Sequence, residues 1–267
     1  MLLNFITWNV DPEIFRIGNF AVRWYGLLFA MGFGFGYFII LNFLKKEKMP
    51  VKLLDQLTTY MVIATVIGAR LGHCLFYQPD YYLANPVEIL KIWEGGLASH
   101  GAALGILIAI YIFSRRNKLS FWWTIDRIAL VTALAGFFIR MGNLMNSEIF
   151  GEQTTLPWGF IFVRAHELGD AERMLPHHPT QIYEALCYLL IFALLMLVYY
   201  KKDGKPREGS LISLFFLLVF SVRFLIEFLK LPQVDFEEGM TLNMGQILSL
   251  PFMLAGSIGL YLVYRKK

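Results

Sequence analysis

The run Arg140-Met141-Gly142-Asn143-Leu144-Met145-Asn146-Ser147-Glu148-Ile149-Phe150-Gly151 closes a long apolar stretch, and its polar side chains recur at helical spacing. Arg140, Asn143 and Asn146, at steps of three, fall on one helical face, while Glu148 and Gly151 follow where the helix should end. A guanidinium stays charged and binds phosphate through paired hydrogen bonds, and two carboxamides beside it can take up phosphate and ester oxygens. Capping by Asn and Gly accounts for one of these residues but not for the row.

Other polar residues sit in equally apolar surroundings: Arg70, His100, Glu184, Arg223 with Glu227, and Arg23 with Tyr25. An ionisable side chain at mid-bilayer costs at least about 2.5–3.5 kcal/mol, so each one needs a reason. Several arginines beside apolar helices suit a phospholipid head group. Snorkelling to the interface would also account for Arg23 and Arg140, and a structural ion pair for Arg223 and Glu227, which are four apart on one face.

His100 stands in Trp93-Glu94-Gly95-Gly96-Leu97-Ala98-Ser99-His100-Gly101-Ala102-Ala103-Leu104-Gly105. Gly101 and Gly105 read as close helix packing, as do Gly68 and Gly72 around Arg70. An imidazole, however, exchanges a proton near neutral pH, which makes His100 a candidate base; a neutral, hydrogen-bonded packing histidine is the alternative. Ser99 has no G-x-S-x-G elbow around it, and serine catalysis is not expected. In His178-Pro179-Thr180-Gln181-Ile182-Tyr183-Glu184, Thr180 reads as a helix N-cap, while Gln181 and Glu184 face one interior.

The elements that must position these residues are membrane helices. The chain of 267 residues is 57% hydrophobic, 16% aromatic and only 16% charged, too apolar for a water-exposed surface. Seven stretches match the roughly 20 apolar residues that a bilayer core of about 30 Å demands: about 20–43, 53–77, 97–113, 121–142, 180–200, 210–229 and 244–264. The third is short and opens on Gly95-Gly96, which leaves a re-entrant start open. Residues 1–19 lack a basic n-region and read as a short cap on the membrane, not a cleavable signal.

Charge then orients the spans, because cytoplasmic loops carry the excess of Lys and Arg. Lys45, Lys46, Lys48 and Lys52, Arg115, Arg116 and Lys118, Lys201, Lys202, Lys205 and Arg207, and Arg265, Lys266 and Lys267 all fall on one side. The expected architecture is an all-α integral membrane protein with seven transmembrane helices, its N-terminus outside and its C-terminus in the cytoplasm. Residues 1–267 read as a single transmembrane catalytic domain, with an outer head segment at about 143–179. That orientation gathers the arginines, His100 and Glu184 in the outer half of the bilayer.

Several functions are excluded. A net charge of +4 without a polar basic domain argues against nucleic acid. Cys74 and Cys187 lie apart in apolar runs, so neither a zinc site nor a disulfide framework is indicated. Gly32, Gly34 and Gly36 fall mid-span with no preceding strand, which rules out a nucleotide loop.

The sequence resembles the prolipoprotein diacylglyceryl transferases, enzymes of the bacterial inner membrane, along nearly its whole length. The resemblance rests on Arg23-Trp24-Tyr25-Gly26, Gly68-Ala69-Arg70-Leu71-Gly72, the run ending in Ser99-His100-Gly101, the row from Arg140 to Gly151, His178 to Glu184, and Arg223 with Glu227. Three positions depart from the family pattern: Ile139 replaces a usual glycine, Leu144 a phenylalanine and His73 a common tyrosine. The resemblance implies transfer of the sn-1,2-diacylglyceryl group from phosphatidylglycerol to the lipobox cysteine of a prolipoprotein signal peptide. It implies a periplasmic active site among membrane lipids, release of glycerol phosphate, and neither metal nor cofactor. His100, Arg140, Arg223 and Tyr25 would be catalytic, with His100 as base and the two arginines on phosphate. Arg70, Asn143, Asn146, Glu148, Gly151, Gln181, Glu184 and Glu227 would bind substrate, with Glu227 orienting Arg223. The rival from another class, a carrier or flippase for an anionic lipid or metabolite, would usually place its site at the midplane between repeats. An intramembrane protease would need a Ser/His or paired-Asp set that these spans do not offer.

Overall fold

The computed structural model describes residues 5–18, 20–166, 168–231 and 239–265. Eight helices run α1 Trp24–Lys46, α2 Lys52–Phe76, α3 Pro79–Ala84, α4 Ser99–Arg116, α5 Phe121–Met145, α6 Thr180–Lys201, α7 Ser210–Ile226 and α8 Met244–Arg265. Six of them, α1, α2, α5, α6, α7 (continued by a 3-10 turn, Glu227–Leu229, into a span Ser210–Leu229) and α8, are long and apolar enough to cross a membrane. The expected third span is α4, whose 18 residues begin on Ser99-His100 and end on Arg115-Arg116. Polar residues at both ends keep it out of that set. Gly95 and Gly96, at φ +88° and +68°, form the turn in front of it.

Four short strands qualify the all-α expectation. Strands β2 (Glu13–Ile17) and β3 (Phe20–Arg23) form an antiparallel hairpin around Gly18, and β1 (Ile6–Trp8) pairs in parallel with β4 (Phe160–Phe162). The expected membrane cap is therefore β structure, and the first span begins at Trp24 because residues 20–23 are spent on the hairpin. Lys266 and Lys267, counted above among the inner basic residues, lie outside the described residues.

The chain forms two compact units. One comprises Met1–Ile39 with Asp126–Lys267, the other Ile40–Ile125. In the first, Gly32 and Gly36 of α1 let it lie against Ala135 and Val131 of α5, and Gly256 brings α8 onto the backbone of α7 at Ser213 and Leu217. The buried Asp126 carboxylate accepts from the Gly209 and Ile212 amides, each at 2.8 Å. It thereby satisfies amides at the start of α7 that have no helical partner. The head segment packs Leu144, Phe150, Phe160, Phe162 and Ala165 together with Trp8, whose indole N–H donates to the Leu144 carbonyl at 2.9 Å.

In the second unit, α2 and α4 approach backbone to backbone at Gly68, Gly72, Gly101 and Gly105. A Cβ on Gly68 would lie 2.5 Å from the Gly101 carbonyl oxygen, and one on Gly105 2.6 Å from that of Ala64. The Ala98 amide donates to the Ala69 carbonyl at 2.9 Å across the same contact.

Candidate active site

In the first unit, the end of α5, the start of α6 and the end of α7 bring most of the sequence-selected residues together. Arg140 Nε lies 2.7 Å from Glu184 Oε2, and its Nη1 donates to Asn143 Oδ1 at 3.1 Å. The Glu184 contact is close but off the N–H direction, so this carboxylate oxygen accepts no hydrogen bond. Asn143 Nδ2 donates at 2.7 Å and Asn146 Nδ2 at 3.2 Å to one Glu148 oxygen. The row at steps of three thus acts as a relay that orients the guanidinium, with Glu148 at its far end.

The turn that places Glu148 is strained. Ser147 and Ile149 hold φ +54° and +60°, a region costly for a β-branched residue. Two side chains of α6 pin it: Gln181 Nε2 donates to the Glu148 carbonyl at 2.8 Å and Thr180 Oγ1 to that of Ile149 at 3.0 Å. Thr180 is accordingly the first residue of its helix and not its cap. Gln181 contributes to the site through the backbone it holds. Gly151 serves by having no side chain, since a Cβ there would lie 2.8 Å from His178 Cβ and from Thr180 Cγ2. Its carbonyl also meets His177 Nδ1 at 2.9 Å.

Glu184 is fully buried and Glu227 nearly so. Glu227 was expected to orient Arg223, but its carboxylate is engaged by Lys230, whose Nζ lies 3.1 Å from Glu227 Oε2 and 3.1 Å from Glu184 Oε1. Glu227 sits directly against Gly245, where a Cβ would be 2.9 Å from Oε2. Arg223 Nε and Gln181 Oε1 are buried without a protein hydrogen-bond partner among the described residues, as are Glu184 Oε2, Ser147 Oγ and His177 Nε2. Tyr25, in the first turn of α1, packs over Gly142, where a Cβ would meet its ring at 2.8 Å.

Sequence reasoning missed two members. Lys230 is buried between the two glutamates, and the Tyr188 hydroxyl reaches Glu184 Oε1 at 3.4 Å and also meets Arg140. Each stands at a helical step from a residue already selected: Lys230 three after Glu227, Tyr188 four after Glu184. Just outside the helices, burial and then the neighbouring His177 push the His178 imidazole below its ordinary range, against the pull of Glu152.

In the second unit, Arg70 is buried and each of the three nitrogens of its guanidinium donates to backbone. Nε donates to Ile89 O at 2.9 Å, Nη2 to Glu88 O at 2.6 Å, and Nη1 to Gly95 O at 2.6 Å and Gly96 O at 3.4 Å. Its carbon lies 5.0 Å from the Tyr82 ring centre. Such an arginine folds the segment between α3 and α4. His73 stacks on Tyr77 at 5.6 Å, and Tyr77 in turn lies 5.7 Å from His100. His100 is exposed in the first turn of α4, edge-on to Phe76 at 5.2 Å. It is exposed and held by contacts with the Phe76 and Tyr77 rings.

The family model for prolipoprotein diacylglyceryl transferase matches residues 12–262. A phosphatidylglycerol–prolipoprotein diacylglyceryl transferase from Tolumonas auensis is 48% identical over 261 residues, covering 97% of this chain and 98% of its own. The protein of that name from Porphyromonas gingivalis is 48% identical, with 94% and 92% covered, and that from Chloroherpeton thalassium 46% identical, with 95% and 92% covered. Matched at this identity along nearly its whole length, the chain belongs to the prolipoprotein diacylglyceryl transferase family.

Proposed function

We propose that this protein transfers the sn-1,2-diacylglyceryl group of phosphatidylglycerol to the lipobox cysteine of a prolipoprotein. The observation that carries the reading is Arg140, aligned by Glu184 and Asn143 at the membrane end of α5, in a chain of this family. The step forms a bond from sulfur to the glyceryl carbon and breaks that carbon's bond to the phosphate oxygen. The thiol proton leaves to a base, and glycerol phosphate departs with the electron pair. Negative charge moves from sulfur to phosphate, so fixed cations at the phosphate favour the transition state. Arg140 and Arg223 take that role, His100 accepts the thiol proton directly or through water, and Tyr25, Asn143, Asn146 and Glu148 position lipid and thiol. Glu184, Glu227 and Gln181 hold these groups in place, with Arg70 and Gly151 supporting the segments that carry them. Seven spans, with α4 as the shortest, and a site facing the periplasm of the inner membrane complete the reading.

The test incubates the purified protein with phosphatidylglycerol and a lipobox peptide and follows the peptide's mass. A gain of one diacylglyceryl group, absent when the peptide cysteine is serine, supports transfer; lipid movement between leaflets without mass gain would favour a carrier. General-base catalysis is typically worth about 10²–10⁴ in rate, so His100→Gln should lose activity of that order. A thiol of pKa about 8.5 should restore part of it at alkaline pH. Full activity of His100→Gln at neutral pH would remove it from the mechanism.

A further inference from the structure

We propose that Lys230 is a positioning residue for the lipid phosphate: bridging Glu184 and Glu227, it offsets one of their two negative charges and so limits their competition with the phosphate for Arg140 and Arg223. The proposal rests on the functional reading above. Lysine is almost never fully buried unless paired, and here its side chain is 2% exposed with one carboxylate on either hand. An ammonium is a compact charge with three donors and no acceptor, suited to bridging two carboxylates at once.

The backbone fixes it there. The Lys230 amide donates to the Glu227 carbonyl at 3.3 Å, Glu152 N donates to Leu229 O at 2.8 Å, and Gly151 pairs with Lys230 across an isolated antiparallel bridge. One loop therefore carries Glu148 on one side and docks against Lys230 on the other.

The consequence follows from charge. Arg140 already lies within the field of both Glu184 and Glu227. With Lys230 in place, each glutamate has a partner besides the arginines. Without it, two buried carboxylates would turn to the guanidinium groups and compete with the phosphate for them.

The experiment measures KM for phosphatidylglycerol and for a lipobox peptide separately in Lys230→Met, Lys230→Arg and Lys230→Met/Glu227→Gln, each normalised to folded protein. Lys230→Met should raise KM for the lipid about tenfold or more and leave KM for the peptide within about twofold, since the lost interaction acts on the lipid alone. Lys230→Arg should stay near the unaltered protein, and removing the Glu227 charge in the double variant should recover most of the lipid KM. A purely structural lysine would lower the amount of active enzyme and move neither KM, and that result overturns the proposal. So does a double variant no better than Lys230→Met. Binding of phosphatidylglycerol in detergent micelles, measured without peptide, keeps this separate from the functional reading. If the unaltered protein transfers nothing, that reading falls, whereas the proposal stands or falls on whether Lys230→Met weakens lipid binding and the double variant restores it.

Discussion

Arg140 meets two partners through different nitrogens, Glu184 at Nε and Asn143 at Nη1, which a lysine has no geometry to reproduce. Arg140→Lys keeps the charge and loses the fork. The hydrogen bond from the charged group to Asn143 is worth about 1.5–3 kcal/mol, so its loss should lower kcat/KM roughly ten- to hundredfold in the peptide assay, with folded protein unchanged by size-exclusion chromatography. Turnover near normal would leave Arg140 with the snorkelling role that the sequence also allowed. At this scale the sequence singles out most of the residues that the first unit brings together, because a charged residue in an apolar run declares its cost. Lys230 lies beyond the end of α7 and reads in the sequence as a loop lysine. Its burial arises from the loop of Gly151 and Glu152 folding against it, and no local pattern encodes that contact. Gln181 and Arg70 were legible as unusual but not as backbone clamps, for the same reason.

Helices were the most legible elements, since a long apolar run has few alternatives in a bilayer, where each backbone polar group must be satisfied internally. The strands were not legible: Ile6–Trp8 acquires its partner only from Phe160–Phe162, and three residues carry little periodicity. The small residues of α2 and α4 were read as close packing, and the crossing at Gly68, Gly72, Gly101 and Gly105 has that geometry. A Cβ on Gly101 would lie 2.6 Å from Gly72 Cα, backbone that cannot yield as a flexible side chain can. Overpacking typically costs about 1–3 kcal/mol, so Gly101→Ala should lower the thermal unfolding midpoint in detergent by several degrees. Because His100 is the preceding residue in the first turn of α4, activity at low temperature should fall as well. An unchanged midpoint would mean that α2 and α4 separate freely and that the crossing contributes nothing to stability.

At the scale of the whole molecule, the proposed chemistry requires the arginine site to face the compartment where a signal peptide presents its cysteine. The charge distribution supports that orientation. In the first unit Lys201 ends α6 and Arg265 ends α8, whereas Glu184 stands in the opening turns of α6 and Arg140 in the closing turns of α5. Carrying the basic ends across the bilayer would oppose the cytoplasmic bias of Lys and Arg, so one side is strongly favoured. Cysteine accessibility tests it. In a background with Cys74 and Cys187 replaced, Glu172→Cys, in the exposed turn of the head segment, should react with a membrane-impermeant thiol reagent in intact cells. Lys202→Cys, at the end of α6, should react only after the membrane is opened. The reverse pattern would put Arg140 and Glu184 on the cytoplasmic face, and a transfer reaction on translocated prolipoproteins would then have no substrate at this site.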